Sequence, residues 1–258
     1  DAKKGDYGRV LIIAGSEDYA GAAALAAIAA TAVLRSGADL VTVAAPEKVA
    51  WAINALVPDI ITIKLPGKRF EMRHAARVLK LAAAHDVVLI GCGIGRKSDA
   101  FIRAVVKRAK RPMVIDADAL TAIKVQDAHD AVLTPHRGEY RALMTHSGLP
   151  SPMTMDAFRQ VRRRLGSSVI LLKAPTDVIM SKKKVADNHV HNPVMAKAGT
   201  GDVLAGLCAG FLAQTRDPFR AACMAAYLNG AVGNYLLRKR GRTFIASDIV
   251  ENIYKVFR

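Results

Sequence analysis

Four adjacent residues, Gly199-Thr200-Gly201-Asp202, combine the residue types that phosphoryl transfer uses. They lie in the stretch HNPVMAKAGTGDVLAGLCAGFL, 191–212, which passes from a glycine-containing turn into an apolar helix predicted to begin at Asp202. A helix that starts this way points its first backbone N–H groups out of the turn without intrahelical partners. The glycines let backbone approach an anion closely, and the helix dipole adds about half a positive charge at the same place. Asp202 would stand beside that anion, where a carboxylate can take the proton of a hydroxyl as it attacks a phosphate. The same four residues would also serve a plain core helix, with Gly199 or Thr200 as its cap and Asp202 complementing the dipole.

Other residues with chemistry to offer follow short apolar runs. Gly91-Cys92-Gly93-Ile94-Gly95 comes after Val87–Ile90, and Asp116-Ala117-Asp118 comes after Met113–Ile115. Thr134-Pro135-His136-Arg137-Gly138-Glu139 follows Ala131–Leu133, and Lys173-Ala174-Pro175-Thr176-Asp177 follows Ser168–Leu172. Continuous apolar runs of this length are the pattern of parallel strands buried on both faces. Open α/β sheets bind ligands beyond the carboxyl ends of their strands, so these segments should gather on one rim. A lysine at such an exit can meet a nucleotide phosphate as a point charge. Singly, GxGxG lacks the dinucleotide spacing and His136 reads as a turn histidine; their shared position makes them candidates.

The elements that must hold these residues repeat. A strand at Arg9–Ala14, a helix at 21–35 and a strand at Asp39–Ala44 make a βαβ unit, and the pattern continues with a strand at Ile60–Ile63 and helices at 71–84 and 100–109. A basic helix over 156–165 precedes the Ser168–Leu172 strand. Val178–Met180 and Val185–Asp187, around the lysine turn 182–184, read as a hairpin. Helices over 217–238 and 247–257 close the chain, with Gly241 as a stop and Ser247 as an N-cap. The expected fold is α/β: one domain over 1–258, a mostly parallel central sheet with helices on both faces and a late antiparallel hairpin.

Composition narrows the functional classes. With 258 residues, 52% of them hydrophobic, the chain can bury a large core, while 5% aromatics is poor for base stacking. A net charge of +16 favours anionic ligands, but the cations are scattered and no nucleic-acid motif accompanies them, so no nucleic-acid partner is expected. The run 20–34 is too short and too alanine-rich to cross a bilayer, and no membrane partner is expected. Cys92, Cys208 and Cys223 form no CxxC pair, and His189 and His191 have no third ligand near in sequence, so neither a disulfide framework nor a protein-held metal is expected. A reducing, cytoplasmic location follows. The start at Asp1 rather than Met suggests a processed chain or a piece of a longer one.

The pieces GRVLIIAGSEDYAGAAALAA, IGCGIGR, VIDADAL, LTPHRGE, LLKAPTDVI and NPVMAKAGTGDVLAG occur in this order. On them the chain resembles the ADP-dependent NAD(P)H-hydrate dehydratases, a ribokinase-like family that repairs hydrated nicotinamide cofactors; the resemblance runs from Lys4 to about Ile253. It implies a three-layer ribokinase-like sandwich and a lyase that dehydrates the S epimer of hydrated NADH or NADPH, using ADP or else ATP, with Mg²⁺. By position, Ala22, Gly93 and His136 correspond to contacts for the hydrated nucleotide. Lys173, Ala174, Pro175, Thr176 and Asp177, with Gly199, Thr200 and Gly201, match the segments that hold the adenine nucleotide, and Asp202 matches the catalytic residue beside the reacting hydroxyl. The resemblance further implies a homo-oligomer, a tetramer, and an NAD(P)H-hydrate epimerase, fused or separate, as partner. Members of the family commonly have proline at the position of Cys92, glycine at Ala174 and a glycine pair at Lys197-Ala198; of these, Ala174 and Ala198 bear on the nucleotide donor. A kinase of the same superfamily, such as a hydroxyethylthiazole kinase, and a nonenzymatic nucleotide-binding subunit are the alternatives. TPHRGE and the Lys173 segment favour the dehydratase over both.

Overall fold

The computed structural model describes residues 3, 5–19 and 21–257, with Ala22 and Ala23 described in backbone only. It opens with β1 (Arg9–Ile13), α1 (Ala22–Arg35), β2 (Leu40–Pro46), α2 (Glu47–Leu56) and β3 (Ile61–Leu65). There follow α3 (Ala75–Ala83), β4 (Val87–Ile90), α4 (Asp99–Arg108), β5 (Met113–Ile115), α5 (Asp118–Ala122) and β6 (Ala131–Leu133). The second half holds α6 (Arg137–Ser147), α7 (Met155–Arg164), β7 (Val169–Leu172), β8 (Asp177–Ser181) and β9 (Val185–Asn188). It ends with α8 (Thr200–Thr215), α9 (Pro218–Arg240) and α10 (Ala246–Asn252).

Nine strands form one sheet in the order β3-β2-β1-β4-β5-β6-β7-β8-β9. Strands β1 to β7 pair in parallel, and β8 and β9 are antiparallel, as the lysine-turn hairpin predicts. Alternation along each strand builds two cores. In β1, Val10 and Ile12 join a cluster with α1, α2, α8, α9 and α10, whereas Leu11 and Ile13 join one with residues of α3 to α7. The result is the three-layer sandwich expected.

Helix α8, which carries the GTGD residues, packs on the sheet between α1 and α9. Its residues from Val203 to Ala213 are all buried. A Cβ on Gly206 would stand 2.3 Å from the Ala29 carbonyl oxygen, so the two helices touch backbone to backbone. The alanines of α1 that line this contact leave room for it: Ala29 and Ala32 are buried. Among the described residues, no helix is long and apolar enough to cross a membrane.

Several boundaries differ from the sequence reading. Helix α8 begins at Thr200, two residues before Asp202, because Gly199 takes a left-handed φ of 85° and closes the turn earlier. Ser247 is not the N-cap of α10. The chain bends at Ile245, whose N–H is taken up by the Asp248 carboxylate, and the helix ends at Asn252 before a short 3₁₀ turn. Helices α2, α5 and α6 were not expected; α5 and α6 start inside the strand-exit motifs themselves.

Candidate active site

Strand β1 lies between β2 and β4, so the chain leaves it in one direction through β2 and β3 and then crosses to its other side. Such a reversal opens a crevice at the carboxyl ends of the two central strands. Here the exits are tied together, Gly15 N–H donating to the Cys92 carbonyl at 2.9 Å. In the loop beyond, Gly93 has φ 61° and Gly95 N–H donates to Asp118 Oδ2 at 2.9 Å. The exits of β4, β5, β6 and β7 converge there, which is the single rim expected.

Four charged or titratable side chains meet at the centre. One donor atom each from Cys92, Asp116 and Asp202 lie within 4.8 Å of one another. Lys173 Nζ donates to Asp116 Oδ1 at 3.0 Å and lies 3.8 Å from Glu139 Oε2. The same ammonium is the nearest atom, at 3.5 Å, to the position a Cβ on Gly201 would occupy, so it overlooks the first turn of α8. That turn has no side-chain cap. Thr200 Oγ1 instead donates backwards, to the carbonyls of Met195 and Lys197 at 2.8 and 2.9 Å. An uncapped helix start under a lysine is a seat for a phosphate.

The electrostatics suit proton transfer. Burial, reinforced by the Asp116 charge, pushes the Asp202 carboxyl up to about 7, against the pull of Cys92, Lys173 and its own backbone N–H. Burial and the same two carboxylates raise the Cys92 thiol well above its ordinary value, which keeps it protonated. Burial acts to lower Lys173, but Asp116, Glu139 and Asp202 outweigh it and hold the ammonium charged. Glu139 is raised chiefly by burial, with Lys173 opposing. A base with a proton affinity near neutrality beside a fixed cation can accept a hydroxyl proton and stabilise the phosphate that receives the oxygen.

Cys92, Asp116 and Asp202 offer one thiol and two carboxylates to a cation, and Lys173 already donates to Asp116 Oδ1 at 3.0 Å. The ammonium is the local counterion.

The remaining expected residues divide. His136 caps α6, its Nδ1 accepting from Gly138 and Glu139 N–H while Glu139 Oε2 accepts from the His136 N–H at 2.8 Å. It adjoins Lys173 through a parallel bridge, which brings it to the rim. Ala174 and Asp177 close their own turn: Asp177 is buried and accepts from Ala174 N–H at 3.2 Å and Asn188 Nδ2 at 3.1 Å, so its side chain serves the hairpin. Pro175 is exposed on that turn, and Thr176 faces His189 at 3.4 Å. Ala22 opens α1; its side-chain surroundings lie outside the described residues. Lys197 turns away from the phosphate seat, donating to the carbonyls of Arg242 and Phe244. Cys92, Asp116, Thr134 and Glu139 were expected only as parts of rim segments, with no individual role in the cluster. Their common place just past the ends of β4, β5 and β6 was the available pointer.

A family model described as NAD(P)H-hydrate dehydratase matches residues 10–255. The chain belongs to the NAD(P)H-hydrate dehydratase family. It is 42% identical to the bifunctional NAD(P)H-hydrate repair enzyme of Pyrobaculum aerophilum over all of this chain and 52% of that protein. It is 34% identical to the ADP-dependent (S)-NAD(P)H-hydrate dehydratase of Cenarchaeum symbiosum, covering 100% of this chain and 91% of that one. Among solved structures, the ADP/ATP-dependent NAD(P)H-hydrate dehydratase of Bacillus subtilis co-crystallised with ATP/Mg²⁺ superposes with a TM-score of 0.80 at 26% identity, over 100% of this chain and 92% of that chain. The architecture is ribokinase-like. The chain spans about half the length of the bifunctional relatives it matches.

Proposed function

We propose that this chain dehydrates the S epimer of hydrated NADH or NADPH at the expense of ADP. The observation that carries this reading is Asp202, a carboxyl raised to about 7 on the first turn of an uncapped helix, with Lys173 over the same turn. In the free enzyme near neutrality a substantial fraction of Asp202 is ionised and able to accept a proton. The ring hydroxyl of the hydrate loses its proton to Asp202 as its oxygen attacks the terminal phosphorus of ADP, and AMP departs. Lys173 and the backbone N–H groups at the start of α8 balance the charge on the moving phosphoryl group. The ester then sits on a ring carbon beside the ring nitrogen. The nitrogen lone pair expels free phosphate, and loss of a proton from the neighbouring ring carbon restores the reduced nicotinamide.

The names of the relatives support ADP, with ATP as a second donor, and support Mg²⁺ accompanying the phosphates. Mg²⁺ accompanying the phosphates would lend charge neutralisation to the transfer, beside Asp116 and Glu139, which Lys173 engages. The longer relatives, named bifunctional repair enzymes, support a second activity beside this one. We infer that it is the epimerase, fused or separate, that converts the other hydrate epimer into this substrate. A homo-oligomer, a tetramer in our reading, is checked by light scattering, and a cytoplasmic location by fractionation.

Supplying hydrated NADH and ADP with Mg²⁺ tests the reaction. AMP, free phosphate and reduced nicotinamide should appear in a one-to-one-to-one ratio. A stable phosphate ester seen by phosphorus NMR, with no reduced nicotinamide, would make the chain a kinase; no turnover of any kind would leave a binding subunit.

A further inference from the structure

Asp116 is the buried centre of the site, although neither its exit motif nor any expected contact gives it a task. It is 3% exposed, and its Oδ1 accepts from both Thr134 Oγ1 at 2.7 Å and Lys173 Nζ at 3.0 Å. Its seat is built by close backbone contact: a Cβ on Gly91 would stand 1.8 Å from the Asp116 carbonyl oxygen. The next residue, Ala117, is held at φ 50°, a conformation alanine seldom takes, which turns the chain sharply as it leaves β5. The β4 exit thus closes on the backbone of Asp116, while the β6 and β7 exits send a hydroxyl and an ammonium to its carboxylate.

We propose that Asp116 is a positioning residue for phosphoryl transfer: its carboxylate fixes the Lys173 ammonium over the first turn of α8 and sets the charge that Asp202 faces. The proposal rests on the functional reading above and deepens it. A lysine has a long flexible stem, and an ammonium anchored before the nucleotide arrives needs no ordering when the phosphates bind. The groups facing Asp202 are Cys92 from the β4 exit, Asp116 from the β5 exit and Lys173 from the β7 exit. Glu139 on α6 joins through Lys173, and His136 through Glu139. Asp116 opposes ionisation of Asp202 and Lys173 favours it. With the Asp116 charge removed, Asp202 would face the cation alone and give up its proton at lower pH.

The test is Asp116→Asn, which keeps the shape and removes the charge, beside Thr134→Val, which removes the hydroxyl support and no charge. For Asp116→Asn we expect ADP affinity by calorimetry to weaken at least fivefold and kcat to fall 10- to 100-fold. The acid limb of the kcat/KM profile should move to lower pH by half a unit or more. Thr134→Val should weaken ADP binding without moving the limb. A merely structural Asp116 would lower the melting temperature and leave the limb in place. Unchanged ADP affinity with an unmoved limb overturns the proposal. Should Asp116→Asn fail to fold, unchanged ADP affinity in Thr134→Val overturns it instead. Were the parent protein inactive on hydrated NADH, the functional reading would fail, and ADP affinity across the variants would still decide the role of Asp116.

Discussion

Asp202 carries two demands that pull apart. Its carboxyl, raised by burial and by Asp116 to about 7, is suited to accept a proton near neutrality, and it destabilises the fold for the same reason. An unfolded aspartate titrates near its ordinary value of 3.8, so between that pH and about 7 the folded protein holds a proton that the unfolded chain has lost. Stability from this residue therefore falls as pH rises through that window, and above it the cost is complete. Asp202→Asn should melt higher than the parent at pH 8, by about 1–3 kcal/mol after allowance for the carboxyl's remaining solvent contact, and nearly level with it at pH 4. Its turnover should fall about 10²-fold or more, the scale of a lost general base, while ADP still binds. Melting curves at the two pH values and a turnover assay check both halves; a variant as active as the parent sinks the catalytic assignment.

At the scale of the element, α8 has a chemical end and a packing end, and its glycines separate them. A Cβ on Gly201 would meet only the Lys173 ammonium, at an ordinary 3.5 Å, in the volume a phosphate would use. Gly201→Ala should weaken ADP binding in calorimetry while the melting temperature stays level or rises, since alanine suits a helix better than glycine by about 1 kcal/mol. Gly206→Ala has the same propensity gain but puts its methyl 2.3 Å from the Ala29 carbonyl oxygen, so α8 and α1 must part. Overpacking of this kind costs about 1–3 kcal/mol, and the melting temperature should drop by several degrees. Equal melting of the two variants would show that the α1 contact does not seat α8. The strands, the hairpin, the GTGD turn and the rim were legible because apolar runs, glycines and strand-end position are local features of the chain. The Asp116–Lys173 pair was not, because it joins residues 57 apart and depends on the register of the three strands β5, β6 and β7. The start of α8 was misplaced by two residues because the left-handed turn at Gly199 is set by tertiary contact with α1 and α10, where a Cβ would meet Leu25 and Ala246. Asp177 reads as a ligand residue in sequence, and only the pairing of β8 with β9 reveals Asn188 as its partner.

Across the whole molecule, 38 lysines and arginines face 22 acidic residues, and much of the excess sits in the last turns of helices. Lys107 and Arg108 end α4, Arg162 to Arg164 end α7, and Arg238 to Arg240 end α9, where cations meet the negative end of the dipole. In a sheet with helices following strands, those last turns of α4 and α7 lie at the rim away from the active site. The excess charge thus serves helix ends locally and acts on the site as a field, repelling itself and drawing anions in. Salt separates these effects, because the Debye length shrinks from roughly 10 Å at 0.1 M to about 3 Å at 1 M, while the buried Lys173–Asp116 pair is screened far less. Between low and high sodium chloride the melting temperature of the free protein should rise by a few degrees as self-repulsion is screened. ADP association, followed by stopped flow, should slow severalfold, while its dissociation rate stays near the low-salt value, since release is governed by contacts inside the site. A dissociation rate that rises with salt as much as the association rate falls would mean that exposed surface cations, rather than the cluster around Lys173, hold the nucleotide.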